Sequence, residues 1–221
     1  VREARAWIDE AMLESPATVK PANYMRNVFH VGMGVISIVL VELVLSWTAC
    51  VWTTAVVAVI ALSLEISRRY IPAWNAILVR RVFGAISRPR EMYRINGATW
   101  YTLAILMVLL AFPLRAAELG VIILALADPA ATLAGRRWGR RRIWQDKSVV
   151  GAAAFFAVAL GIGVVFSWVV PGGPVGLQRL AMVTAVALVG VVAEVFTERL
   201  DDNFTIPVLC AGVASFWWMA V

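Results

Sequence analysis

The sequence predicts an all-α, polytopic integral membrane protein, a helix bundle of about seven transmembrane helices with its N-terminus cytoplasmic. Three observations carry that prediction. Of the 221 residues, 62% are hydrophobic and 15% charged, where a soluble domain sits near half apolar and a quarter charged. The apolar residues come in long runs, close to the about 20 that a helix needs to cross a bilayer. The basic residues gather in two segments between those runs, as membrane topology requires.

In chain order, residues 1–27 lack a continuous apolar stretch and predict no cleavable signal peptide. Ala4, Trp7, Ile8 and Met12 recur there at helical spacing, which predicts an amphipathic helix along the membrane surface. Residues 28–221 form a single transmembrane domain with spans at 28–46, 49–66, 97–113, 116–134, 149–170, 179–197 and 204–221. Between the second and third spans, residues 67–96 read as an interfacial basic segment. Ile77, Leu78, Phe83 and Ile86 lie among arginines there, with breaks at Pro72 and Pro89. The short turn between the first two spans leaves six or eight crossings open, and no internal repeat stands out. The ten tryptophans suit interfacial belts.

Charge then orients the bundle. Residues 67–96 carry seven arginines, and residues 135–148 carry six Arg or Lys, whereas the turns near 47–48, 114–115 and 171–178 carry only Arg115. With seven spans, both basic segments fall on the side of the N-terminus, and the positive-inside rule makes that side cytoplasmic. The net charge of +6 suits anionic headgroups or a phosphate-bearing substrate. A nucleic-acid partner is disfavoured, because the basic residues border spans and form no domain of their own. Cys50 and Cys210 lie in apolar surroundings and make neither a disulfide framework nor a metal site.

This topology gathers the polar residues on one side. Asp128, followed by Pro129, lies in the fourth span, where an aspartate costs about 2.5–3.5 kcal/mol and must face partners. Residues 135–148 run Gly135-Arg-Arg-Trp-Gly139-Arg-Arg-Arg-Ile-Trp-Gln-Asp-Lys147-Ser148, with Gly151 following. Glycines let backbone approach an anion, arginines fork onto phosphate, and Lys147 supplies a point charge. Ser148 is placed to cap the fifth span, whose positive end then faces the same anion. Topology alone explains the basic charge of such a loop, but not its glycines, nor one of only two lysines sitting before Ser148. Glu194, Asp201 and Asp202 share a face if the sixth helix continues that far. With Asn203 they suit Mg²⁺, a hard ion that takes oxygen ligands; the plainer alternative is a solvated acidic turn. Arg26 and the single histidine, His30, lie four residues apart on one helical face. Glu65 with Arg68 or Arg69 reads as a local ion pair. The pairs Gly32 and Gly34, and Gly161 and Gly163, read as close-packing positions.

Read in order, Arg26-Asn-Val-Phe-His30-Val-Gly32, Glu65 with Arg68, Asn96-Gly97-Ala-Thr99, Asp128-Pro-Ala-Ala-Thr-Leu-Ala-Gly135, Lys147-Ser148-Val-Val-Gly151, and Glu194 with Asp201-Asp202-Asn203-Phe-Thr-Ile-Pro207 form a pattern. It resembles the CTP-dependent lipid-alcohol kinases: dolichol and polyprenol kinases, phytol kinase and the fungal type of diacylglycerol kinase. The resemblance covers about residues 24–210. One departure is Asn27, where a second basic residue is expected. The family is similar to phosphatidate cytidylyltransferases around the Asp, Gly and Lys block, which keeps that activity as an alternative; a transporter or non-catalytic lipid-binding protein is the third.

The resemblance implies transfer of the γ-phosphate of CTP, with Mg²⁺, to the hydroxyl of a membrane lipid at the cytoplasmic face. It implies catalytic roles for Asp128, Lys147, Glu194 and Asp202. Nucleotide contacts would come from Gly135, Arg136, Gly139, Arg140, Lys147, Ser148, Gly151, Arg26, His30 and Asn96. Metal ligands would come from Asp128, Glu194, Asp201, Asp202 and Asn203. The expected partners are a lipid alcohol, a nucleotide and membrane lipids, and a homo-oligomer is left open.

Overall fold

A computed structural model describes residues 24–78, 95–145, 147–197 and 200–218. The expected surface helix within residues 1–23 and the arginines of 79–94 lie outside the described residues. Helix α1 (Tyr24–Val39) passes into a π-helical turn (Leu40–Val44). It is followed by α2 (Trp47–Tyr70), the short α3 (Pro72–Leu78), α4 (Gly97–Ala111) and α5 (Leu114–Trp138). A two-stranded antiparallel hairpin, β1 (Arg142–Trp144) and β2 (Lys147–Ser148), leads into α6 (Val149–Val169). The chain ends in α7 (Gly176–Phe196) and α8 (Asp202–Trp218).

Each expected span is a helix, and five are long and apolar enough to cross a membrane: α1 with its π turn, α2, α5, α6 and α7. The 15 residues of α4 reach only about 22 Å at 1.5 Å per residue, short of a hydrocarbon core of about 30 Å. Helix α8 has 17 residues. Local chemistry sets the boundaries. The Ser46 side chain accepts from Ala49 N to start α2, and the Asn96 side chain accepts from Ala98 N to start α4. Each satisfies one of the donors orphaned at a helix N-terminus.

Helix α5 is the axis of the bundle. Of its spanning window 72% is buried, against 11% for α1 and 17% for α2. Leu119, Ile123 and Leu124 of α5 join Tyr101, Phe155, Met182, Val186 and Ile206 in one core. Lipid tails are as apolar as leucine, so this association depends on close packing rather than on escape from water. Gly34 and Gly120 supply it: an added Cβ would lie 2.3 Å from Ala125 Cβ at Gly34 and 2.4 Å from the Pro207 carbonyl at Gly120. Gly163 likewise abuts Val183, but Gly32 and Gly161 face open space. The packing expectation is therefore corrected for those two, because an added Cβ there would meet nothing within 4 Å.

The helices alternate in direction. The start of α1, the ends of α2, α5 and α7, and the starts of α4, α6 and α8 meet at one end. His30 faces Asp128, Glu65 faces Asn96, and Lys147 faces Glu194 and Asp202 there. At the other end Glu42 faces Arg115.

Candidate active site

The site is assembled from residues distant in sequence. Lys147, on the second strand of the hairpin, donates from Nζ to Glu194 Oε1 at 2.7 Å and lies 3.5 Å from Asp202 Oδ2. Arg26 Nη2 approaches the other oxygen of Asp202 at 3.7 Å. His30 Nδ1 lies 3.5 Å from Asp128 Oδ2. Asn203 Nδ2 donates to the Gly97 carbonyl at 3.2 Å, tying α8 to the start of α4. Arg26, His30, Asn96, Asp128, Glu194, Asp202 and Asn203 are all buried. The Lys147 side chain retains 28% exposure, more than those of Arg26, His30, Asp128, Glu194 and Asp202.

Two of the acids reach the site by a route that the sequence pattern did not give. Helix α7 ends at Phe196, and Asp202 begins a new helix. Glu194 and Asp202 therefore do not share one helical face; they converge because α7 and α8 pack against each other. The Thr197 hydroxyl lies 2.9 Å from that of Thr205 between the two helices. Asp201 accepts from Asn203 N at 3.1 Å and caps α8. Burial, and then the neighbouring Asp202, push the Asp201 carboxyl up to about 7. For Lys147, burial acts against the ammonium, but Asp202, Asp128 and Glu194 outweigh it and raise its pKa above the ordinary lysine value.

The segment expected as an open phosphate loop is more ordered than a loop. Helix α5 runs on to Trp138, so Gly135 is helical, and the hairpin follows. Its turn places Gln145 at φ 44°, a left-handed conformation. Gly135, Gly139 and Gly151 close around Ser148. A Cβ on Gly139 would lie 2.2 Å from the Gly135 carbonyl and 2.3 Å from Ser148 Oγ, and one on Gly151 would lie 3.0 Å from the Ala131 carbonyl. Ser148 Oγ accepts from Gly151 N at 3.1 Å, the predicted cap of α6. These glycines thus dock the end of α5 onto the start of α6, which fixes where Lys147 projects. Arg136 and Arg140 remain exposed at the rim and do not join the buried cluster.

A brace beneath the site went unread in the sequence. Glu65 forms the expected ion pair, with Arg68 at 2.8 Å and Arg69 at 4.0 Å. Its Oε1 also accepts from the Asn96 backbone at 2.9 Å. Arg68 reaches on to Asn75 Oδ1 at 3.2 Å. Glu65 and Asn96 are 31 residues apart, and a buried carboxylate accepting from the amide at a helix N-terminus joins them.

Charge and unfilled valence define what the site can accept. Asp128, Glu194 and Asp202 surround the Lys147 ammonium, and Asp201 and Asp202 lie near Arg26. Glu194 Oε2 and Asn203 Oδ1 are buried with no hydrogen-bond partner among the described residues. Buried acceptors without donors are costly unless a ligand completes them. No three His, Cys, Asp or Glu side chains among the described residues converge closely enough to hold a metal by themselves. Mg²⁺, however, is usually held by one or two carboxylates together with substrate phosphates, and the unpartnered oxygens of Glu194 and Asn203 fit that mode. The gap between Arg26, His30, Asn96, Gly97 and Asn203 is about 10 Å³, room for no more than a water.

Comparison with known proteins identifies the family of the chain. The chain is 29% identical over 207 residues to CTP-dependent diacylglycerol kinase 1 of Saccharomyces cerevisiae, covering 83% of this chain and 69% of that protein. It is 30% identical over 149 residues to the Schizosaccharomyces pombe enzyme of the same name, covering 63% and 68%. The chain belongs to the CTP-dependent lipid kinase family. A phytol kinase of Synechocystis, 26% identical over 225 residues, covers 95% of this chain and 87% of its own length. No family model matches the chain, and no solved structure matches it.

Proposed function

We propose that this protein transfers the γ-phosphoryl group of CTP to the hydroxyl of a membrane lipid, of the diacylglycerol or isoprenoid-alcohol type, at the cytoplasmic face. The observation that carries the reading is Lys147, whose partly exposed side chain sets its ammonium against the buried carboxylates Glu194 and Asp202. The names of the relatives supply the donor and the acceptor class. The cytoplasmic assignment rests on the basic segments that border this end of the bundle.

Phosphoryl transfer needs positioning and charge neutralisation more than covalent chemistry. In this reading Lys147 meets the nucleotide phosphates, with the rim residues Arg136 and Arg140 beside it. Glu194, Asp202 and the amide oxygen of Asn203, with Asp201 and Asp128 near by, hold Mg²⁺ together with those phosphates. When bound, the metal neutralises charge on the phosphates and orders them. Arg26 holds Asp202 in place. Asp128 is the carboxylate partnered by imidazole rather than by a fixed cation, so it accepts the proton of the lipid hydroxyl and His30 orients it. The glycines at 135, 139 and 151, with Ser148 and Asn96, position these groups and need not touch the nucleotide.

The test uses purified full chain in lipid nanodiscs with Mg²⁺, one acceptor at a time from diacylglycerol, phytol, a polyprenol and phosphatidate, and CTP labelled in either the α- or the γ-phosphate. The expected result is γ-label in lipid and release of CDP. Lipid labelled only from the α-phosphate, with release of pyrophosphate, would establish a cytidylyltransferase instead. No label in any lipid would leave a binding protein.

A further inference from the structure

Two buried charges, Glu65 and Arg68 of α2, have no part in the transfer as described so far. Only 17% of the spanning window of α2 is buried, so this helix faces mainly lipid, where ionisable groups are costly. As a stabiliser, a buried ion pair gains little over two apolar side chains of the same volume, because desolvation offsets the Coulomb attraction. What a carboxylate adds is direction. Apolar side chains would hold α2 against α4 at several heights. Glu65 fixes one, because its Oε1 accepts from Asn96 N at 2.9 Å while its Oε2 accepts from Arg68 Nε at 3.0 Å. Asn96 immediately precedes α4, and its side chain caps that helix by accepting from Ala98 N. One residue on, the Gly97 carbonyl accepts from Asn203 Nδ2 at 3.2 Å. The junction is tight: a Cβ on Gly97 would lie 2.7 Å from Asn203 Nδ2 and 3.5 Å from Arg26 Nη1. Asn203 is 1% exposed and follows Asp202, which Arg26 approaches and which lies 3.5 Å from Lys147. A chain of directed contacts thus runs from α2, through the start of α4, to the start of α8.

We infer that Glu65 is a positioning residue for the phosphoryl transfer: from α2 it fixes the start of α4, and the start of α4 fixes Asn203 and the neighbouring Asp202 that faces Lys147. The inference rests on the activity proposed above. Glu65 touches neither nucleotide nor lipid in this account; it acts through Asn96 and Gly97. Each link joins the beginning of a helix, where one hydrogen bond sets the position of a rigid element rather than of a single side chain. The part of Glu65 that matters is its acceptor oxygen on Asn96 N. Its charge serves to hold Arg68, which in turn reaches Asn75 Oδ1 at 3.2 Å and ties in α3. Stability and turnover therefore depend on different properties of the same carboxylate, and substitution can part them.

Three variants of the full chain in nanodiscs make the test, each read by thermal unfolding, by γ-phosphate transfer from CTP and by hydrogen exchange. Glu65→Leu/Arg68→Met replaces the pair by apolar side chains of similar volume and strands no charge, so its Tm should stay near that of wild type. It lacks the acceptor for Asn96 N, and kcat should fall about 10- to 100-fold, as for a misplacement of about 1 Å, with KM for CTP within about threefold of wild type. Gly97→Ala leaves Glu65 alone but crowds Asn203 Nδ2, the end of a flexible side chain; it should fold and lose kcat in the same way. Glu65→Gln keeps an acceptor without the charge, so its Tm should fall while kcat stays within about threefold of wild type. The Asn203, Phe204 and Thr205 amides should exchange about fivefold faster in the first two variants, the worth of one hydrogen bond, with those of α6 unchanged. A residue that only stabilises the fold would make kcat follow Tm through the series, and that result overturns the inference. Unchanged kcat and exchange in Gly97→Ala overturn it as well, and decide the matter if the double variant does not fold. A wild-type chain that phosphorylates no lipid would sink the proposed activity instead, and exchange at the start of α8 would still read the positioning.

Discussion

Replacing Lys147 by methionine tests the catalytic cluster most directly, because stability and chemistry should respond by different amounts. Methionine keeps the length of the stem but removes the ammonium that sits 2.7 Å from Glu194 and 3.5 Å from Asp202. Removing one partner of a fully buried ion pair costs about 3–5 kcal/mol, because the other charge is stranded. Here the lysine side chain is 28% exposed and water screens the pair, which lowers the figure to about 1–2 kcal/mol. For a chain of this size that is a fall in Tm of roughly 2–8 °C. The rate should fall much further. A preorganised cation facing developing charge is worth about 2.7–4 kcal/mol, so kcat should drop by about 10²–10³. Adding Glu194→Gln removes the stranded carboxylate, so Lys147→Met/Glu194→Gln should recover the Tm without recovering the rate. The assay is γ-phosphate transfer from CTP to lipid, beside thermal unfolding in the same nanodiscs. A folded Lys147→Met protein that turns over within twofold of wild type would refute the assignment.

Three further outcomes follow from the same geometry. Gly139→Ala drives a methyl group into the Gly135 carbonyl and Ser148. It should cost about 1–3 kcal/mol by overpacking in thermal unfolding, whereas Gly32→Ala, with nothing within 4 Å, should fall within about 0.5 kcal/mol of wild type; equal effects would show that α5 and α6 are not docked through these glycines. Glu65→Ala removes the carboxylate that pairs with the buried Arg68 and accepts from Asn96 N, and should cost about 3–5 kcal/mol, while Glu65→Gln keeps an acceptor and should cost less; a neutral Glu65→Ala would remove the brace. Asp201 titrates near 7 in the folded chain against an ordinary 3.8, because burial and Asp202 disfavour its charge. The folded state therefore binds more protons between those values, and stability declines as pH rises through about 4 to 7. Asp201→Asn keeps a helix-capping side chain and should flatten that decline in unfolding curves taken at pH 5 and 8; an unchanged slope would place the titration on another group.

Much of the fold could be read from the sequence because the bilayer imposes strong, one-dimensional rules. Apolar runs must be helical to satisfy their backbone groups, so each of the seven segments is a helix, and Ser148 caps α6 as a hydroxyl preceding an apolar run should. The alternation of basic and neutral turns already put Arg26, Asp128, Lys147 and Asp202 at one end. Intramembrane Asp128 and a lysine in an arginine-rich loop stood out because each is costly or unusual where it lies.

Tertiary structure alone decided which of these groups touch. Helical periodicity offered Glu194 and Asp202 as residues of one face, yet the helix stops at Phe196 and their meeting depends on how α7 and α8 cross. The glycines of 135–151 looked like an anion cradle and proved to be a helix junction, since a missing Cβ serves either purpose and only the neighbour tells which. Glu65 joins the Asn96 amide, and Glu42 joins Arg115, across 31 and 73 residues. No local pattern encodes such pairings, because side-chain contact between helices is set by packing angle and rotation about the helix axis, which depend on every small residue along both interfaces.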